Sequence, residues 1–114
     1  MRILILEDDP LIALDLQDTV EDAGHEVVAV CPSVAAARAR IAEAIDFALL
    51  DVDLTDGKSF DIAAALHCLG VPFAFVSGSS RDEVPPHLAN ATFIAKPFLP
   101  AAVVRTLPCE RRAA

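Results

Sequence analysis

The sequence has no long apolar segment, no paired cysteines and no excess of positive charge. Hydrophobic residues make up 54% of its 114 residues, yet no apolar run approaches the roughly 20 residues that a helix needs to cross a bilayer. The chain also opens without a basic and apolar leader, because the apolar stretch Arg2–Leu6 runs directly into three acidic residues. We therefore expect a cytoplasmic protein that does not insert into a membrane.

Three cysteines, Cys31, Cys68 and Cys109, lie far apart and form no C-x-x-C pair. An odd number at such spacings is typical of reduced thiols and argues against a disulfide framework or a zinc site. The net charge of −8 repels phosphate backbones, so we expect no binding to nucleic acid. The length suits one domain with one core, which we place at residues 1–108, followed by a C-terminal tail at 109–114.

Apolar stretches alternate with amphipathic stretches along the chain. Strands are predicted at Arg2–Leu6, Glu26–Val30, Asp46–Val52, Phe73–Val76 and Thr92–Ala95. Helices are predicted from Pro10 to Gly24, from Ser33 to about Ala44, from Ser59 to about Gly70 and from about Leu99 to Leu107. This alternation predicts an α/β fold, in which helices cover both faces of a parallel sheet.

Two segments interrupt the alternation. Arg81–Asn90 should contain the fourth helix but includes Pro85-Pro86, and proline inside a helix costs about 3 kcal/mol. We therefore predict a shortened or irregular fourth helix. The segment Asp53–Lys58 has the turn composition of a loop, and its acids Asp53 and Asp56 have no clear role beyond charge.

Polar residues follow four of the predicted strands at their carboxyl ends: Glu7 and Asp8, then Asp51, then Ser77, then Lys96. Parallel strands end at a common edge, where such sheets bind ligands, so we expect these side chains to meet. Carboxylates in close contact raise each other's pKa, and a hard divalent cation relieves that repulsion. Mg²⁺ is the cation that suits a few carboxylates and retained waters, so we predict a magnesium site.

Asp51 is the candidate nucleophile, since a carboxylate oxygen can attack a phosphoryl group to give an aspartyl phosphate. Mg²⁺, the Lys96 ammonium and the Ser77 hydroxyl would neutralise the oxygens of the transferred group. Ordinary interpretations of these residues stay open. The acids at 7–9 then cap a helix and solvate a loop, Lys96 is a solvated lysine, and Ser77 is a loop hydroxyl that binds its own backbone. Phe93, three residues before Lys96, is then an ordinary core residue.

Four segments in order, ILILEDDP, FALLDVDL, FAFVSGS and FIAKPF, resemble the receiver domain of two-component response regulators over essentially the whole chain. The resemblance implies a flavodoxin-like, doubly wound five-stranded sheet with strand order 2-1-3-4-5. It also implies that Asp51 accepts a phosphoryl group from a histidine kinase or a phosphotransfer protein. The remaining roles that it implies are Mg²⁺ ligands at Glu7, Asp8, Asp51 and the Asp53 backbone carbonyl, a switch hydroxyl at Ser77, a switch aromatic at Phe93 and a phosphate-binding lysine at Lys96.

The receiver would be of the stand-alone type, a self-phosphorylating signalling domain rather than a turnover enzyme, and its downstream protein partner is unknown. One alternative is a haloacid-dehalogenase-like phosphatase, because Asp51-Val52-Asp53-Leu54-Thr55 fits the D-x-D-x-T motif, with Asp53 as general acid. In those enzymes, however, the metal-binding acids follow the lysine, whereas here they precede Asp51. A second alternative is a binding module that keeps the fold without the phosphorylation.

Overall fold

The computed structural model describes residues 1–108, and within them a five-stranded parallel sheet lies between two layers of helices. The strands are β1 (Arg2–Leu6), β2 (Glu26–Cys31), β3 (Phe47–Leu50), β4 (Phe73–Ser77) and β5 (Thr92–Ala95). The α-helices are α1 (Pro10–Asp22), α2 (Val34–Arg38), α3 (Phe60–Cys68) and α4 (Pro100–Thr106). The strand order is β2-β1-β3-β4-β5, which confirms the predicted fold and order. The predicted tail at 109–114 lies outside the described residues.

The alternation of side chains along the strands divides the core into two clusters, one on each face of the sheet. In β1, Leu4 and Leu6 pack with α2 and α3, whereas Ile3 and Ile5 pack with α1 and α4. Every residue of β3 is buried. A continuous apolar run is required of a strand that is covered on both faces, as the sequence of β3 indicates.

Side-chain caps begin the first two helices, as predicted. Asp9 Oδ1 accepts hydrogen bonds from the backbone N–H groups of Leu11 (2.9 Å) and Ile12 (3.3 Å) at the start of α1. Ser33 Oγ accepts one from Ala36 N (3.1 Å) at the start of α2. Each cap satisfies a backbone donor that has no partner within the helix.

The predicted end of α2 is wrong, because the helix ends at Arg38 rather than near Ala44. The chain continues as turns, in which Arg40 N and Ile41 N both donate to Ala37 O (2.9 and 3.1 Å) and Glu43 N donates to Arg40 O (3.0 Å). The Arg40 guanidinium also donates to the carbonyl of Val28 in β2 (3.1 Å). This tertiary contact and the mixture of i to i−3 and i to i−4 bonds replace a regular continuation of the α-helix.

The segment Asp53–Lys58, which was predicted to be a loop, contains paired strands on either side of its turn. Asp53–Leu54 pairs with Gly57–Lys58 in a short antiparallel ribbon. Leu54 is buried in the cluster beneath α2 and α3, which fixes the ribbon on the domain. The turn carries Asp56, whose two carboxylate oxygens accept hydrogen bonds from the N-terminal N–H groups of α2.

Two 3-10 turns, Arg81–Glu83 and Pro86–Leu88, stand where a fourth crossover helix was predicted to be shortened or irregular. Leu88 is buried and holds this segment on the core. None of the helices within residues 1–108 is both long enough and apolar enough to span a membrane.

Candidate functional site

The carboxyl ends of β1 and β3 place two acidic residues side by side. Asp51 N donates to Leu6 O (2.8 Å), which continues the β1–β3 ladder by one residue, and Glu7 N donates to Cys31 O (3.0 Å) in the same way. The backbone positions of Glu7 and Asp51 are therefore fixed by the sheet itself.

Glu7, Asp8 and Asp51 form the carboxylate cluster. Each offers one oxygen that lies within 4.8 Å of those of the other two. Glu7 and Asp51 are buried, with 2% and 7% of their surfaces exposed, whereas Asp8 is half-buried. The cluster is thus a pocket of hard oxygen donors that is open to water on one side, which suits a divalent cation that keeps part of its hydration shell.

Lys96 reaches this cluster from the end of β5. Its ammonium Nζ donates to Glu7 Oε1 (2.5 Å) and to Asp51 Oδ2 (3.1 Å). The backbone of Lys96 is placed by its neighbour in the sheet, because Lys96 N donates to Ser77 O (2.9 Å). One ammonium therefore bridges carboxylates that follow two different strands, 89 and 45 residues away in sequence.

Burial and the neighbouring charges have opposite effects on the pKa values of Glu7 and Lys96. Burial raises the pKa of the Glu7 carboxyl, and the hydrogen bonds from Lys96 and from Asp9 N offset only part of that rise. Burial lowers the pKa of Lys96, but its hydrogen bonds and charge interactions with Glu7 and Asp51 outweigh this effect, so its pKa is raised. Lys96 consequently stays protonated at neutral pH. A single ammonium does not balance three carboxylates, and this leaves charge that a bound cation can offset.

Ser77 is 1% exposed and lies beside Lys96 at the same edge. Its hydroxyl oxygen accepts a hydrogen bond from Ser79 N (3.1 Å). The hydroxyl is therefore engaged by the loop that follows β4, as its ordinary interpretation has it, while its place in the sheet is that of the predicted set.

Phe93 lies away from the carboxylate cluster, on the face of the sheet that α2 and α3 cover. Its ring centroid is 6.4 Å from that of Phe75, and the Arg81 guanidinium carbon lies 6.0 Å from it. The ring is partly buried. Phe93 thus joins the core to the 3-10 segment rather than touching the site directly.

The side chain of Asp53 contacts an exposed group of polar residues that no sequence pattern indicates. Its carboxylate accepts hydrogen bonds from Lys58 Nζ and Ser79 Oγ, and Lys58 also pairs with Glu83 (3.0 Å). Periodicity carries no signal for such a group, because its members lie up to 30 residues apart in sequence. The Asp53 carboxylate is engaged here rather than in the carboxylate cluster, which does not favour its use as the general acid of a phosphatase.

No profile of a protein family matches the chain. Over 114 aligned residues it is 38% identical to the phyllosphere-induced regulator PhyR of Methylorubrum extorquens, covering 90% of this chain but only 40% of that regulator. The solution structure of SdrG from Sphingomonas melonis Fr1 is similar with a TM-score of 0.82 and 38% identity, over 93% of this chain and 92% of SdrG.

A CheY-like response regulator receiver domain protein from Methanospirillum hungatei JF-1 is similar in structure with a TM-score of 0.80. Its identity to this chain is 28%, and the match covers 91% of this chain and 87% of that one. PhyR is a regulator and the protein from Methanospirillum hungatei is a response regulator receiver domain protein, and none of these similarities supports the phosphatase alternative. The chain belongs to the receiver domains of two-component response regulators.

Proposed function

We propose that Asp51 accepts a phosphoryl group and that the pocket around it stabilises the transfer. The observation that carries this proposal is the bridge of Lys96 Nζ between Asp51 and Glu7, since it puts a protonated ammonium against the carboxylate that reacts. An ammonium held there already lies beside the position at which the negative charge of a phosphoryl oxygen arrives. The membership of the chain in the receiver family supports the same role.

Glu7, Asp8 and Asp51 would hold a Mg²⁺ ion, with the backbone carbonyl of Asp53 as a further ligand. The oxygen-only donor set and the half-buried position of Asp8 fit this ion, which takes a few carboxylates and keeps several waters. When bound, Mg²⁺ supplies positive charge to the oxygens of the phosphoryl group.

In the transfer step, an oxygen of the Asp51 carboxylate forms a bond to phosphorus. The bond from phosphorus to the donor breaks, and the donor keeps its electron pair. For a histidine kinase or a phosphotransfer protein, the leaving group is an imidazole nitrogen. The Lys96 ammonium then donates a hydrogen bond to a phosphoryl oxygen, and its contact with Glu7 is correspondingly weakened.

Ser77 and Phe93 serve as the switch in this proposal. The Ser77 hydroxyl leaves Ser79 N and donates to the phosphoryl group, which draws the loop after β4 inward. Phe93, which is only partly buried, then repacks toward the core. The change is a shift of population between two conformations of one fold.

In this proposal the chain works in the cytoplasm, where it takes the phosphoryl group from a histidine kinase or a phosphotransfer protein and passes the signal to a further protein. The domain takes up one phosphoryl group per activation and does not turn over substrate. Signalling by a receiver requires a phosphorylated state that persists long enough to be recognised, whereas a phosphatase must clear that state rapidly.

The test is the intact mass of the chain after incubation with acetyl phosphate and Mg²⁺. We expect a single phosphoryl adduct on the wild type and none on Asp51→Asn. Asp15→Asn, which neutralises an exposed acid of α1, is the matched control and should label like the wild type. An adduct that persists in Asp51→Asn, or Asp51-dependent hydrolysis of p-nitrophenyl phosphate over many cycles, would overturn the proposal.

A further inference from the structure

The 3-10 turn Arg81–Glu83, here called the 81–83 turn, is held at both of its ends. At its C-terminal end, Glu83 Oε1 accepts a hydrogen bond from Lys58 Nζ (3.0 Å). Lys58 also pairs with the Asp53 carboxylate, two residues beyond Asp51. This ion pair network therefore connects the turn to the rim of the carboxylate cluster.

At the N-terminal end of the turn, the Arg81 guanidinium binds the backbone of residues 89–91. It donates to the backbone carbonyls of Ala89 (2.9 Å) and Ala91 (3.1 Å). The same group lies 6.0 Å from the centroid of the Phe93 ring, at the outer limit for a cation–π contact. One side chain thus fixes both the path of residues 89–91 and the surroundings of Phe93.

The turn is also joined to Ser77 by a short chain of contacts. Ser79 N donates to Ser77 Oγ (3.1 Å), and Ser79 Oγ donates to the Asp53 carboxylate. Ser80 Oγ then accepts from Asp82 N (3.1 Å), which caps the turn. A movement of the Ser77 hydroxyl must release Ser79 N, and only one residue separates Ser79 from the turn.

We propose that the 81–83 turn is a latch between the phosphorylation pocket and Phe93. The Lys58–Glu83 pair and the contact of Arg81 with Phe93 hold the resting conformation, and phosphorylation releases both. This inference rests on the proposed function of Asp51 and adds to it the element that carries the change. The turn would then couple the pocket to Phe93 in a crossover that contains 3-10 turns instead of an α-helix.

A latch of this kind has a measurable consequence. Phosphoryl groups and their analogues favour the released conformation, so a variant that weakens the latch already populates that conformation in their absence. The apparent affinity for the analogue must then rise by the same factor as the population of the competent state. Direct electrostatics predicts the opposite sign, because the removal of Lys58 takes positive charge away from an anion site.

The experiment is a titration of the whole chain with beryllofluoride and Mg²⁺, followed by ¹⁹F NMR. The six phenylalanines are replaced biosynthetically by 4-fluorophenylalanine, and Phe93→Leu assigns the signal of Phe93. Lys58→Gln and Arg81→Gln each remove the contacts that fix one end of the turn. Arg38→Gln removes the same charge from an exposed position of α2 and is the matched control.

In the absence of beryllofluoride, the Phe93 signal of Lys58→Gln should lie between the free and the saturated wild-type positions, although Lys58 has no contact with that ring in the described structure. The beryllofluoride concentration at the midpoint of the titration should be about two- to fivefold lower for Lys58→Gln and Arg81→Gln than for the wild type, which is the range that an exposed ion pair supplies. Arg38→Gln should match the wild type.

A midpoint for Lys58→Gln that equals or exceeds that of the wild type would overturn the latch while leaving the pocket intact. A wild-type chain that does not respond to beryllofluoride would instead contradict the proposed function, and the latch with it. The two failures are therefore distinguishable in one titration.

Discussion

At the scale of single residues, the site depends on the balance between three carboxylates and one ammonium. Lys96 contacts two of the three, and its side chain is only 16% exposed. A buried carboxylate that loses its partner retains the cost of desolvation without the compensating attraction. Lys96 therefore has a structural effect that can be measured apart from any phosphorylation.

Replacing Lys96 with methionine keeps much of the side-chain length and removes the charge. We expect the free energy of unfolding at pH 7 without Mg²⁺ to fall by about 1–3 kcal/mol, because Glu7 and Asp51 lose a shared partner. Urea denaturation measures the change. Lys58→Met is the control, since exposed ion pairs contribute little. Equal stabilities of the two variants would contradict the account of the pocket.

At the scale of elements, the start of α2 depends on a residue from a distant loop. Asp56 accepts hydrogen bonds from Val34 N (2.8 Å) and Ala35 N (3.0 Å), in addition to the cap that Ser33 provides. These bonds lower the pKa of the Asp56 carboxyl. The sequence indicates no role for Asp56 beyond charge, because the helix that it caps begins 22 residues earlier.

Asp56→Ala removes these acceptors from two helix N–H groups. We expect faster hydrogen exchange at Val34 and Ala35, together with a lower denaturation midpoint, since helix ends depend on such caps. Exchange followed by NMR measures both amides. Asp18→Ala, at an exposed position of α1, should leave them unchanged. Unaltered exchange in Asp56→Ala would mean that the cap contributes nothing in solution.

At the scale of the whole molecule, the sheet and its polar edge could be predicted, since both depend on local signals. The buried strands appear as apolar runs such as Phe47–Leu50, and parallel strands necessarily end at one edge. The early end of α2, the ribbon that contains Asp53 and the contacts of Lys58 could not be predicted. Each depends on contacts between groups that are separated in sequence, such as Arg40 with Val28 and Lys58 with Glu83, and periodicity contains no information about such contacts.

The proposed function requires that segments from four strands form one phosphoryl-accepting pocket around Asp51. A crystal structure of the chain with Mg²⁺ and beryllofluoride shows whether they do. We expect beryllofluoride on an Asp51 oxygen, the metal against Glu7 and Asp8, and Lys96 Nζ within hydrogen-bond distance of a fluorine. Beryllofluoride bound elsewhere, or an ammonium that remains on Glu7 and touches no fluorine, would contradict it.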